Sequence, residues 1–521
     1  MGSEEFQGFK VIDARPFSKE TFKALTSAAR CHTSTQISEV LEKLGCSTIL
    51  VEENYVDRDY KAEFSAFYSK RFHTPSPRCV RLHFFLQVLK KYGAIDTPEK
   101  FEELEGKSYL GFCVVRPTEF NRIGRTVIKP LISGVKAKGG TISYYVTCQV
   151  TFVTHLFGRR FKVTGSPFVQ QDTQVGVCAH AALWTVGRYM SNLGYCEETL
   201  PPDVNDLATA RQPRGRIYPA DAGLVTSQML DALHGMGLSA IHYGRSEISD
   251  QVCKHLKMPT DALVAGENEE NQKQLKSKKL ADIAYRYIES RLPVILTTEQ
   301  HAFVAVGHTF KQTTYLTNTI DQIPSFIIND DSRGPYLELP LKKSVENSNS
   351  IDNIEDVIAI LPASAKLRGE YAEEYARTAL ELLPEILNSN SFKAEASRLT
   401  GLLADFRLRT YLIRASEFQY DLWKERQQKN TPLEIVDSLI RLDYPQYIWI
   451  SEVFVQNDWE NQVCLGKIII DSTAAKLDKS IMAIFMGKII MLFDRQHPKA
   501  SPLILSSTVE FQLSPKLIAT K

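Results

Sequence analysis

The segment SPFVQQDTQVGVCAHAALWTV, residues 166 to 186, sets Cys178 at the head of an alanine-rich apolar run, with Gln171 seven residues and Gln174 four residues upstream. A helix start carries partial positive charge on its unpaired N–H groups, so a cysteine there has its thiolate favoured, and the thiolate is the attacking form. Cysteine-based acyl transfer also needs a base for the thiol proton, a group that orients the base, and donors for the developing oxyanion. His301 opens the run HAFVAVGHTF directly after the polar turn TTEQ and is the preferred base. His308, seven residues on, competes, but on a strand it falls on the opposite face. The segment SFIINDDSRGPY offers Asn329, Asp330 and Asp331 as orienting groups. Asp330 is preferred because it shares strand parity with the apolar Phe326 and Ile328. For the oxyanion, the side-chain amide of Gln171, or that of Gln174, could donate alongside the Cys178 N–H.

These groups need a buried helix and a sheet to hold them. Ala179, Ala181, Ala182, Leu183, Trp184 and Val186 make a helix-forming run that is apolar on nearly every face, which predicts a helix inside a domain. His180 then faces away from Cys178 and reads as packing or a substrate-side contact. The rest of the first half is helical in pattern, with an amphipathic stretch LVTSQMLDALHGMG and a helix expected over about 279–290, separated by a Pro-, Gly- and Arg-rich loop around PRGRIYPADAG. The second half changes character. LPVILTT, HAFVAVGHTF, SFIINDD and VIAILP are β-branched runs between polar turns, the pattern of a sheet, with KKSVENSNSIDN as an intervening surface loop.

Gln, then Cys at a helix start, then His leading a strand, then Asn or Asp after the next strand, in that order, resembles the papain-like cysteine peptidases. The segments CAHAALW and HAFVAVGH are most similar to the bacterial C39-like branch, with its CGPAAL-type helix and His-Phe-Val-Val strand. Over about 165–362 the resemblance implies a catalytic Cys178, a base His301, an orienting Asp330 and an oxyanion donor Gln171, with no metal or other cofactor. It departs from the family pattern at Ala179, where the family has glycine, and Gln171 stands one residue further from the cysteine than the family's glutamine. The implied activity is hydrolysis of a peptide or isopeptide bond in a protein or peptide substrate. The same fold also carries transglutaminases, deamidases and acyltransferases, and a degenerate copy would be a binding module.

The flanks read as two further α+β domains, giving boundaries at 1–164, 165–365 and 366–521. In the first, TQISEVLEKL is an amphipathic helix and CSTILVEENYV a strand, and the domain could pack on the next one rather than stand alone. Arg116, Arg122 and Arg125 read chiefly as a solvated face or a domain contact, and otherwise as ligands of a phosphate or carboxylate. In the last, helices are expected over YAEEYARTALELLPEIL and SFKAEASRLTGLLADFRLRTYLIRA, and strands over YPQYIWISEVFV, CLGKIIIDSTA and SIMAIFMGKIIMLF. Trp449 reads as aromatic core, and Glu452 and Asp471 lie in or beside those strands.

The chain of 521 residues is 43% hydrophobic, enough for several cores, and its 62 Lys and Arg nearly balance 61 Asp and Glu. That balance argues against nucleic acid or an anionic membrane as an obligatory partner. No run reaches the roughly 18 apolar residues of a membrane span. Nine scattered cysteines with no CxxC pair, and histidines without HExxH spacing, point to free thiols in a cytoplasmic setting rather than to disulfides or a zinc site. The oligomeric state is left open.

Overall fold

The computed structural model describes residues 3–6, 9–88 apart from 16 and 27–31, 108–209 apart from 132, 133, 138, 139, 157, 173 and 175, 223–248, 269–311, 319–342, 350–454 apart from 391, 404, 405 and 429–432, 463–493 apart from 477 and 478, and 503, 504, 511 and 512. It is mixed α+β, built on antiparallel sheets. The loop expected around PRGRIYPADAG and most of KKSVENSNSIDN lie outside the described residues.

Six strands open the chain in sequence order: β1 (Ser3–Phe6), β2 (Phe9–Asp13), β3 (Thr48–Tyr55), β4 (Cys79–Phe85), β5 (Tyr109–Val115) and β6 (Ile123–Ile128). Between β2 and β3 run α1 (Lys19–Thr26) and α2 (His32–Lys43), and α3 (Arg58–Ala66) follows β3. Helix α2 places Ile37, Val40 and Leu41 on one face by the i, i+3, i+4 rule, and these pack with Phe22, Ile49 and Phe84 on one side of the sheet. Each such fully buried side chain contributes on the order of 1.5–3 kcal/mol. The other side is closed by Tyr60 of α3 and by Phe152, Phe161 and Val163. The last three belong to a hairpin, β9 (Val150–Leu156) with β10 (Arg159–Gly165).

A second hairpin, β7 (Gly134–Ala137) with β8 (Gly140–Tyr145), leaves this layer and joins the central sheet. The strands thus continue across the boundary expected at 164/165. The central sheet has the order β11 (Leu238–Gly244), β16 (Asp356–Pro362), β12 (Val294–Thr297), β13 (Ala302–Lys311), β14 (Ser325–Asp330), β15 (Gly334–Pro340), with β8 also paired to β13. Against it pack α4 (Cys178–Asn192), α6 (Thr226–Gly235) and α7 (Glu269–Glu289), with α5 (Pro201–Thr209) beyond α4. Helix α7 starts well ahead of the expected 279, because EENQKQLKSKK carries strong helix formers without an apolar stripe to announce them.

The final part contains α8 (Gly369–Ser389), α9 (Lys393–Leu402), β17 (Arg407–Arg414), α10 (Ala415–Gln428), α11 (Leu433–Ile440), β18 (Tyr447–Phe454), β19 (Val463–Cys464), β20 (Gly466–Asp471), β21 (Ile481–Met486), β22 (Ile489–Leu492), β23 (Leu503–Ile504) and β24 (Phe511–Gln512). Its main sheet runs β17-β18-β20-β21-β22-β23. The helix expected through FRLRTYLIRA is therefore strand β17. Arg409 within it is fully buried and neutralised by Glu289 of α7 and Glu452 of β18, the latter at 2.8 Å. Trp449 is core as expected, its Nε1 donating to Leu367 O at 3.0 Å, and one continuous apolar core joins this sheet to the central one.

Candidate active site

Cys178 is the first residue of α4 and is half-buried, while every residue from Ala179 to Met190 behind it is buried. Burial on all faces fixes the helix axis, so its first side chain has little freedom. The start is capped by His180, whose Nδ1 accepts from Val177 N at 3.3 Å. Burial pushes the His180 imidazole down to about 4, opposed by a contact with Asn205, so the ring is neutral at pH 7 and available as an acceptor. Gly176 makes room for it: a Cβ at 176 would stand 3.1 Å from His180 Cβ.

His301 sits one residue before β13, held by a turn in which its N–H donates to Thr298 Oγ1 at 3.1 Å and its carbonyl accepts from Thr298 N at 2.8 Å. Its side chain is 26% exposed. Nε2 lies 3.0 Å from Asp330 Oδ1, and the Cys178 thiol is close enough to the ring to favour its charged form. Burial opposes a charge on the ring. The hydrogen bond to Asp330, then the contact with Cys178 and the charges of Asp330 and Asp331, outweigh it and push the imidazole up to about 10. Asp330 ends β14. Burial raises its acid, but the hydrogen bond and charge of His301, with the Ser332 hydroxyl and amide, bring it below the usual carboxylate range.

The three neighbours Asn329, Asp330 and Asp331 have separate fates. Asn329 faces away: Nδ2 donates to Ser166 Oγ and Pro167 O, both at 3.1 Å, and Oδ1 accepts from Tyr336 N at 3.2 Å. Asp331 is buried with Oδ1 3.6 Å from His301 Nε2, and neither of its oxygens makes a hydrogen bond of good geometry. Burial pushes its acid up to about 7 against the pull of His301 and of the nearby amides of Asp331 and Gln171. His308 is remote in role: fully buried, it pairs through Nε2 with Glu289 Oε2 at 2.8 Å and belongs to the Arg409 network.

Gln171 is half-buried and lines a cavity of about 40 Å³ together with Gly176, Val177, His180 and Trp184, which sets it beside the start of α4 and, through its amide, beside Asp331. Gln174 instead lines an open cleft of about 390 Å³ with Tyr68, Arg71, His73, Phe120 and Arg122. Asp172 staples the intervening loop. Its Oδ1 accepts from Gln174 N at 2.9 Å, its carbonyl from Gly176 N at 2.8 Å, and its Oδ2 from the Tyr68 hydroxyl.

Of the three arginines singled out in the sequence, Arg122 borders that cleft, and the other two are internal ties. Arg116 is buried, its Nη2 donating to Asn121 O at 2.6 Å and Gln170 O at 2.9 Å, and Arg125 pairs with Asp57 at 2.9 Å. Tyr68, Asp172 and Gln170 were missed by sequence reading, since no local pattern marks a hydrogen bond between residues 104 positions apart.

Among the described residues, His301, Asp330 and Asp331 are the group whose ligand atoms could converge on a metal ion, all lying within 4.8 Å of one another. Asp330 Oδ1, however, already accepts from Ser332 N, Ser332 Oγ, Arg333 N and His301, which leaves that oxygen little capacity for a metal ion. No helix among the described residues is long and apolar enough to cross a membrane. Comparison with known proteins returns no matching family model and no matching curated relative.

Proposed function

We propose that this chain is a papain-like, cysteine-dependent peptidase that cleaves a peptide or isopeptide bond through a thioester. The observation that carries the reading is the His301–Asp330 hydrogen bond beside the Cys178 thiol, with that sulfur at the start of a buried helix. In this reading His301 takes the thiol proton and the thiolate attacks the substrate carbonyl carbon. The developing oxyanion accepts from the Cys178 N–H and the Gln171 amide. The imidazolium, held by Asp330, then protonates the leaving amine, and water activated by the same ring releases the acid and restores the thiol. The cleft lined by Gln174, Arg122 and Phe120 is the candidate path for a protein or peptide substrate. A reducing, cytoplasmic setting suits a free thiol in this role.

The test is the pH dependence of Cys178 alkylation by iodoacetamide, read by intact and peptide mass, in wild type and His301→Ala. Reaction well below the ordinary thiol pKa of about 8.5 that disappears in the variant supports the reading. Ordinary thiol behaviour in both proteins overturns it. Once a substrate is in hand, product masses with a primary amine present separate hydrolysis from transfer, because amine incorporation or deamidation leaves the substrate chain uncut.

A further inference from the structure

We infer that Thr33, on the N-terminal helix α2, is a positioning residue of the thiol site: its one hydroxyl ties the loop carrying Gln171 to the loop carrying Asp330 and Asp331. The inference rests on the catalytic reading of Cys178. Thr33 is fully buried. Its Oγ1 donates to Ser332 O at 3.2 Å, with Asp331 O at 3.4 Å sharing the proton, and accepts from Gln170 Nε2 at 3.3 Å. A hydroxyl has one proton to give and lone pairs to receive, so a single atom serves both loops.

Each loop is rigid at the point where Thr33 grips it. Gln170 is 3% exposed and doubly paired with β6, its N–H donating to Ile123 O at 3.1 Å and its Oε1 accepting from Ile123 N at 3.2 Å. Its carbonyl is held by Arg116. On the other side Ser332 immediately follows Asp331, and both its N–H and its hydroxyl are bound to Asp330 Oδ1. One turn along α2, Gln36 Nε2 donates to Pro335 O at 3.1 Å. Gly334, at φ +130, lets the helix come that close, since a Cβ there would lie 2.6 Å from Gln36 Cβ.

Gln171 is therefore one residue from one end of the clamp, and the His301 partners are one and two residues from the other. A displacement of about 1 Å between the oxyanion donor and the imidazole is enough to cost on the order of 100-fold in rate, so a link of this kind acts on chemistry without touching substrate. The N-terminal layer is then a component of the site and not a removable cover.

The experiment compares wild type, His301→Ala, Thr33→Val and Thr33→Ser. It reads Cys178 alkylation by iodoacetamide from pH 5 to 10, and hydrogen exchange over residues 166–172 and 331–336. Valine keeps the shape of threonine but removes both bonds, and serine keeps the hydroxyl. Expected for Thr33→Val is an alkylation rate at pH 6 lower by about 10-fold, a displacement smaller than the ~1 Å considered above, with faster exchange in both segments together. Thr33→Ser is expected to stay close to wild type in both readouts. A wild-type alkylation profile in Thr33→Val, or loosening of one segment alone, overturns the clamp. Should Thr33→Val fail to fold, Gly334→Ala pushes α2 off the second loop with Thr33 in place. The same loss of low-pH reactivity supports the clamp there, and a wild-type profile overturns it. If wild type and His301→Ala both behave as ordinary thiols, the catalytic reading fails and takes the clamp with it. If wild type is activated and Thr33→Val matches it, the clamp alone fails.

Discussion

Asp330 Oδ1 takes the 3.0 Å hydrogen bond of His301 Nε2 while already accepting from Ser332 and Arg333 in the turn that follows it. The carboxylate is thus immobilised by its own chain before it meets the imidazole, and the ring inherits that fixed position. Asp331, beside it, has no such turn to hold it and none of those bonds.

Replacing Asp330 with Asn keeps an acceptor for the turn and removes the counter-charge of the imidazolium. His301 should fall back toward its ordinary value of about 6.5, and Cys178 alkylation at pH 7 should drop by at least ~10-fold. A pH–rate profile of the variant checks this, and an unchanged profile would assign the activation to another group.

The raised His301 value also fixes a sign for stability. A base held up to about 10 in the folded chain contributes stability fully present below about pH 6.5 and lost as pH rises through 10. The stability difference between wild type and His301→Gln, measured by urea unfolding, should therefore be largest at pH 6 and shrink steadily toward pH 10.

Asp331 has the opposite consequence. An acid raised from 3.8 to about 7 by burial makes the folded state resist ionisation, so its cost is absent at pH 4, grows between pH 4 and 7, and is complete above 7. Asp331→Asn should match wild type in stability at pH 4 and exceed it at pH 8. Thermal melts at the two pH values decide the matter, and equal melting shifts at both would remove the argument.

Gly176→Ala drives a methyl group to within 3.1 Å of His180 Cβ. His180 must yield by a few tenths of an ångström, which strains its bond to the Val177 N–H and costs up to about 1 kcal/mol of the helix cap. The melting temperature should fall modestly, and Cys178 alkylation should slow because the first turn of α4 is held less firmly.

Arg409→Met removes the only cation among the described residues that is bonded to both Glu289 and Glu452, all three side chains being buried. Glu289 keeps His308 and Glu452 keeps Lys467 at 3.7 Å, so the loss falls below the roughly 3–5 kcal/mol of a fully uncompensated buried charge. Equilibrium unfolding should show that loss, whereas the folded fraction keeps wild-type Cys178 reactivity, since this network serves the junction of the two sheets and not the thiol.

What could be read from the sequence was short-range. The helix behind Cys178 and the strand after His301 follow from periodicities of a few residues, whereas the register of β14 shifts between Ile328 and Asp330, so the His301–Asp330 bond does not rest on strict alternation. Strand β17 was misread because buried Arg409 has the composition of an exposed helix position, and only its partners Glu289 and Glu452, 120 and 43 residues away, reveal why it is inside. Thr33 and Tyr68 carried no local signal at all, and Arg116 stood out in the sequence without any sign of the carbonyls it holds. Their roles exist only once β6 and α2 lie against the loops they hold.

The Thr33 bond to Ser332 spans 299 residues, and Cys178 lies between its ends. On a ribosome Cys178 is added 123 residues before His301 and 154 before Ser332, so for that stretch of synthesis the thiol lacks the side chains that surround it in the fold. The surroundings of this sulfur are complete only once β14 and the turn after it have been made, so a chain cut before residue 301 carries Cys178 without either His301 or Asp330.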